Sequence, residues 1–232
     1  ETFSAKSCGQ EASRHLGGTR ITSTKPIAVN STDDSVLHGG SKDAVGDQIL
    51  PIEFAGTEYI AIHNGTNFEG VYIYALEDGT SVWVNEAKTE TNNMEQITSN
   101  LNIGEVKFVP MYNYCYSNKI KSPLYIKADK PIIVFQETGR NGESGGTMLP
   151  QLSCTGSEKA VYKRVPDSKE CVITIITRSE FVNDFVLNGD DTAISGADFT
   201  PVRGHNTWSY LKITEGEPLD DKPISIANKS GY

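Results

Sequence analysis

Lys25-Pro26-Ile27, Lys130-Pro131-Ile132 and Lys222-Pro223-Ile224 repeat one tripeptide at separations of 105 and 92 residues, and each leads into an apolar segment. Proline fixes φ and carries no backbone donor, so it is tolerated at the first residue of a strand and at strand-to-strand corners. Other markers recur at nearly the same interval. Leu50-Pro51 and Leu149-Pro150 stand 99 apart, and Gly56-Thr57-Glu58 and Gly156-Ser157-Glu158 stand 100 apart. The chain therefore reads as a repeat. Aligning Glu1–Val29 with Glu105–Val134 sets Phe3 opposite Phe108, so the sequence starts inside a unit. This phase predicts N-terminal strands within residues 1–40 that complete the last lobe, a first β lobe over 41–140 and a second over 141–232.

Around these markers lie short alternating or β-branched segments, among them Ile27–Val29, Tyr59–Ile62, Val71–Ala75, Ser81–Val84, Leu124–Ile126, Ile132–Phe135, Val172–Thr177 and Trp208–Ile213. Asn64-Gly65, Asp78-Gly79, Asn141-Gly142 and Asn188-Gly189 supply the positive φ that tight hairpins need. Glu90–Leu101 is the only helical candidate, and it is polar. The expected fold is all-β: two packed β-sandwich-like repeat lobes, with a propeller-like arrangement or a single large β-sandwich as alternatives.

The 232 residues carry a formal net charge of −9 without a basic run, which disfavours a nucleic-acid or anionic-membrane surface as partner. The longest apolar runs fall far short of the roughly 18 residues that cross a bilayer as a helix, so no membrane insertion is expected. Residue 1 is Glu, which fits a removed signal peptide or a trimmed chain. Cys8, Cys115, Cys154 and Cys171 form no C-x-x-C pair and allow three disulfide pairings or plain buried thiols. The 17-residue separation of Cys154 and Cys171, with Pro166 between, makes that pair a loop closure to look for.

Four adjacent acid pairs are present, Asp33-Asp34, Glu77-Asp78, Asp190-Asp191 and Asp220-Asp221. Neighbours on a strand point to opposite faces, whereas glycosidase carboxyls face each other across a cleft, so turn chemistry explains these pairs better. Calcium is the one candidate cofactor, with Asp33, Asp34 and Asp47 as its ligands, although no D-x-D-x-D-G run is present. His15, His38, His63 and His205 sit in no nucleophile or zinc signature, and the Gly-Gly pairs lack the Lys-Ser/Thr of a phosphate loop. Tyr112, Tyr114 and Tyr116, with Tyr72 and Tyr74 nearby, offer a ligand-contact platform, since tyrosine gives large area at low entropic cost. Alternate tyrosines lining a half-exposed sheet would read the same way.

The stretches Gly18–Val29, Gly46–Pro51, Gly56–Ile60, Leu149–Ser157 and Asp198–Val202 with Trp208 resemble the N-terminal domain of IgGFc-binding proteins, in the version found in surface and secreted proteins of Bacteroidetes-type bacteria. The resemblance covers roughly residues 1–215 and rests on turns and strand starts. It implies an exported, extracellular or cell-surface module, often part of a larger protein, with an adhesive or ligand-binding role. It also implies a cysteine within residues 139–146 paired with the equivalent of Cys154; none stands there, which makes Cys171 the substitute.

The expectation is a non-enzymatic extracellular binding or adhesion module of a bacterial surface protein, with a host extracellular protein, a glycan or neighbouring domains of the same parent chain as partner. A structural spacer domain and a carbohydrate-active enzyme are the alternatives. The enzyme would show two non-adjacent acids in one deep cleft.

Overall fold

The computed structural model describes residues 4–6, 17–38, 41–63, 69–85, 91–115, 123–140, 143–154, 156–163, 171–215 and 223–230, with backbone alone at 34–38, 41–43, 114, 115, 140, 143, 154, 171, 214 and 215. The described residues form fifteen strands and only single turns of helix, so the chain is all-β. Two compact units emerge: Glu1–Lys88 with Met94–Ser153, and Thr89–Asn93 with Cys154–Tyr232.

The first unit holds β1 (Asn30–His38), β2 (Ser41–Gln48), β3 (Gly56–Ala61), β4 (Gly70–Ala75), β5 (Thr80–Asn85), β6 (Met94–Leu101), β7 (Val106–Pro110), β8 (Leu124–Arg140) and β9 (Glu143–Met148). β8 is its spine. β3 and then β9 pair with one edge of β8, and β5 and then β4 with the other. β6 extends the sheet beyond β5, and β7 extends it beyond β4. Every second residue of β8 faces one core: Leu124, Ile126, Ala128, Ile132 and Val134 are buried with Tyr59, Ala61, Val71, Ile73, Val82, Val84 and Val109. Burying an aliphatic side chain of this size contributes about 1.5–3 kcal/mol, so this alternation fixes the register.

β8 cannot run straight. Gln136 donates through Nε2 to the Ile62 carbonyl at 2.6 Å, and its Oε1 accepts from the Ile62 N–H at 3.3 Å. Ile62 follows Ala61, which pairs with Leu124, twelve residues before Gln136 on the same strand. At about 3.3 Å per residue a straight strand would separate those positions by about 40 Å.

The bend sits at Ala128–Pro131. Two steps along β3, from Gly56 to Glu58, correspond to five along β8, from Ile132 to Lys127. In the gap, the buried Tyr59 hydroxyl donates to the Ile132 carbonyl at 2.6 Å and accepts from the Gly56 N–H at 2.9 Å. On the other edge Asp129 Oδ1 accepts from Ser81 N–H at 2.8 Å, Lys130 Nζ donates to the Asp78 carbonyl at 2.5 Å, and the Pro131 carbonyl accepts from Leu76 N–H at 3.3 Å. Pro131 has no N–H to leave unpaired there.

The second unit holds β10 (Lys159–Tyr162), β11 (Cys171–Arg178), β12 (Phe185–Leu187), β13 (Thr200–Pro201), β14 (Trp208–Glu215) and β15 (Ile224–Asn228). They form sheets of order β10-β15-β12 and β11-β14-β13. Ile173, Ile175, Leu211 and Ile213 of one sheet share a core with Tyr162, Phe185, Leu187 and Ile226 of the other, a small β-sandwich. Phe185 and Phe199 stack inside it at 5.3 Å.

The strand pairings place the repeat. β3 and β5 flank the Pro123-Leu124-Tyr125-Ile126 strand as β10 and β12 flank Pro223-Ile224-Ser225-Ile226, 100 residues on. β4 with β7 corresponds to β11 with β14. Upstream, Lys25–Val29 followed by β1 and β2 corresponds to Lys130–Val134 followed by the rest of β8 and β9. Ile49 N–H bonds the Val29 carbonyl, and Leu149 N–H bonds that of Val134, each at 2.8 Å. Each hairpin leads through Leu-Pro into a single helical turn, Ile52–Phe54 or Leu152–Cys154. One copy thus runs from Lys25 to Asp129 and the next from Lys130 to Asn228, while Pro223 matches Pro123 rather than Pro131.

Two local expectations differ from the structure. Glu90–Leu101, the helical candidate, contains β6, because its Ile97 and Thr98 suit a half-buried ladder on β5. Ile27–Val29, which reads as a strand, lies in no described strand. β1, the described strand of residues 1–40, pairs with β2, and both belong to the first unit.

Replacing Tyr59 with Phe strands the Gly56 donor and the Ile132 acceptor in a buried gap. With two groups at about 1–3 kcal/mol each, a loss of about 2–6 kcal/mol is expected in urea denaturation followed by circular dichroism.

Candidate binding face

β7, β4 and the second half of β8 present an outer face away from the core, and its alternate residues are aromatic or aliphatic. Register sets Phe108 beside Tyr72 beside Phe135, and Val106 beside Tyr74 beside Ile133. The Tyr72 ring lies 4.8 Å from Phe108 and 6.4 Å from Phe135, both tilted. Phe108 also covers Gly70, where a Cβ would fall 2.3 Å from its ring, so only glycine allows this seat. β7 is the edge strand, leaving Phe108 44% exposed and Val106 40% exposed. Ile103, in the preceding turn, is exposed as well.

Polar groups border this face. The Tyr72 hydroxyl donates to Glu137 Oε2 at 3.1 Å. Burial, then the Glu137 charge and its hydrogen bond, push the Tyr72 phenol well above its ordinary value, with Tyr74 and Asp33 adding to the rise. Tyr72 is therefore a neutral donor at any physiological pH. Burial also raises Tyr74, whose ring lies where a Cβ at Gly17 would come within 3.4 Å of it.

The proposed calcium ligands occupy the β1–β2 hairpin. Asp33 pairs with Val45 and Asp47 with Ser31, so both lie on one hairpin face as diagonal neighbours. Asp47 Oδ2 accepts from Met148 N–H at 2.8 Å and from Thr147 Oγ1 at 3.1 Å, while Oδ1 accepts from Gln48 N–H at 2.7 Å. Its carboxylate thus ties β2 to β9, and the Met148 hydrogen bond leads the causes that hold its pKa below the ordinary 3.8. The Asp34 side chain lies outside the described residues. Among the described residues no three His, Cys, Asp or Glu gather as a metal site.

Tyr112 is exposed at the start of a helical turn, Tyr112–Cys115, that follows β7. The Tyr114 side chain and all of Tyr116 lie outside the described residues, as do the side chains of Cys154 and Cys171. Asp33-Asp34 lies within β1, whereas Glu77-Asp78 and Asp190-Asp191 sit at turns. Asp78 Oδ1 accepts from Ile103 N–H at 2.9 Å beside Gly79 at φ 67°. Asp190 accepts from Thr192, and Asp191 meets Lys229 at 2.8 Å, after a turn in which Asn188 and Gly189 have φ of 52° and 87°.

One buried pair had no signal in the sequence. His63 Nε2 lies 3.3 Å from Glu69 Oε2 with both side chains nearly inaccessible, which joins the ends of the segment between β3 and β4. An isolated His and an isolated Glu give no spacing from which such a pair could be read.

The model of the family described as IgGFc binding protein matches residues 3–225 of this chain. No curated protein and no solved structure matches it.

A lowered carboxyl pKa stabilises the fold above the unfolded value of 3.8, and the contribution fades as pH falls through the lower folded value. Asp47→Asn is expected to reduce the urea midpoint at pH 7. The difference from the parent should shrink as the titration passes below pH 3.8.

Proposed function

The chain belongs to the IgGFc binding protein family, and from that premise we propose that it is a non-enzymatic binding module of a bacterial cell-surface or secreted protein. Its partner is a host extracellular protein or a glycan. The observation that carries this reading is the outer aromatic face, where Phe108 and Val106 are partly exposed on the edge strand β7, which β4 holds along its length. Exposed aromatics on a rigid support lose little entropy on binding, and Tyr72 beside them adds a polar handle at a fixed position. An apolar face with the exposed Asp33 nearby suits contact with a partner surface.

The test is an array of host glycans and extracellular proteins, including immunoglobulin Fc, probed with the folded chain with and without calcium. A saturable ligand whose affinity drops about tenfold or more with Phe108→Ser is expected, the scale of a central aromatic contact. A blank array from folded protein would favour the spacer reading, and binding indifferent to Phe108→Ser would rule out this face.

A further inference from the structure

Apart from β6, which pairs with β5, and β13, which pairs with β14, the strands of the two copies correspond, and one edge of the shared pattern differs in its pairing. β4 is paired on both sides, by β7 and by residues 132–137 of β8. Its counterpart β11 is paired with β14 along its whole length, and no described strand pairs with its other edge. The counterpart of residues 130–140 is the stretch from Lys25 to His38. That stretch is complementary in what it lacks, since β1 pairs with β2 alone among the described strands.

The backbone phases agree. Val29 turns its carbonyl to β2, so Ala28 and Asn30 turn their N–H and C=O groups outward, as Ile133 and Phe135 turn theirs to β4. Ser179 N–H bonds Thr207, so the odd residues of β11 face β14 and Val172, Thr174 and Ile176 face the open edge. Side chains fit in the same register. Ile27 and Val29 hold the places of the buried Ile132 and Val134, yet Ile27 is 55% exposed.

We propose that the open edge of β11 takes residues 26–32 of a second copy of this chain as an added antiparallel strand. Ala28 then lies opposite Ile176 and Asn30 opposite Thr174, the register that β8 keeps on β4. Ile27 and Val29 then enter the sandwich core beside the buried Thr177 and Ile175. The fitting strand belongs to this chain and continues the sheet edge already formed by β1 and β2, which is why a second copy is the occupant. Donor and acceptor edges are different surfaces, so the contact is head-to-tail and builds rings or open chains according to the rotation it imposes.

Sedimentation velocity of the whole chain, between about 1 µM and about 200 µM, reads the association directly. Mass is expected to rise with concentration. Ala28→Pro and Thr174→Pro each remove an outward N–H without touching the β1–β2 or β11–β14 ladders, so each alone should stay monomeric. Mixed, one supplies an intact acceptor and the other an intact donor, and a 1:1 dimer should form. Circular dichroism checks that the variants fold, and Ala28→Pro, in the exposed stretch, serves alone if Thr174→Pro does not. A parent chain that stays monomeric at every concentration overturns the proposal, as does association that survives both substitutions.

Discussion

A strand that leaves one part of a sheet to enter another loses ladder hydrogen bonds at its bend, and here the Tyr59 hydroxyl replaces them. It joins Gly56 N–H and Ile132 C=O across the place where β8 outruns β3. In a buried gap those two backbone groups would otherwise be unpaired, at a cost of about 1–3 kcal/mol each. The opposite edge is closed by Asp129, Lys130 and the Pro131 carbonyl. With the bend secured, alternate residues of a single strand can line one core from Leu124 to Val134.

The same bend is where one copy of the repeat passes into the next. β8 closes the first copy through β3 and β5 and opens the second through β4 and β9. The outer aromatic face depends on this sharing, since Phe135 and Glu137, which hold Tyr72, come from the second copy and Phe108 from the first. This aromatic face is thus built from residues of both repeats.

Much of the fold was legible because its punctuation is local. Leu-Pro before a helical turn, Gly-x-Glu before a strand, and Asp78-Gly79 and Asn188-Gly189 at reversals each have a physical reason confined to a few residues. The period was harder to read. Lys222-Pro223-Ile224 has the letters of Lys130-Pro131-Ile132 but the pairing of Pro123-Leu124, and only ladder partners distinguish them. β6 was missed because its polar, Asn-rich sequence draws its strand character from β5, a tertiary effect. In the candidate face, Tyr72 and Tyr74 could be picked from alternation. Phe108 could not, because its seat depends on Gly70 in another strand, and the bonds that engage Asp47 come from a hairpin about a hundred residues away.

The central claim, that β8 folds back so that its two halves enclose one core, rests on a distance between groups that a straight strand would keep apart. Nuclear Overhauser spectroscopy on amide-labelled protein reads it in the Gln136 side-chain amide and the Ile62 backbone amide. A cross-peak between them is predicted, from the 2.6 Å and 3.3 Å hydrogen bonds that join the two residues. Its absence in folded protein, with Ile62 close to Leu124 alone, would mean that β8 is not bent at Lys130-Pro131 and that the shared-strand architecture is wrong.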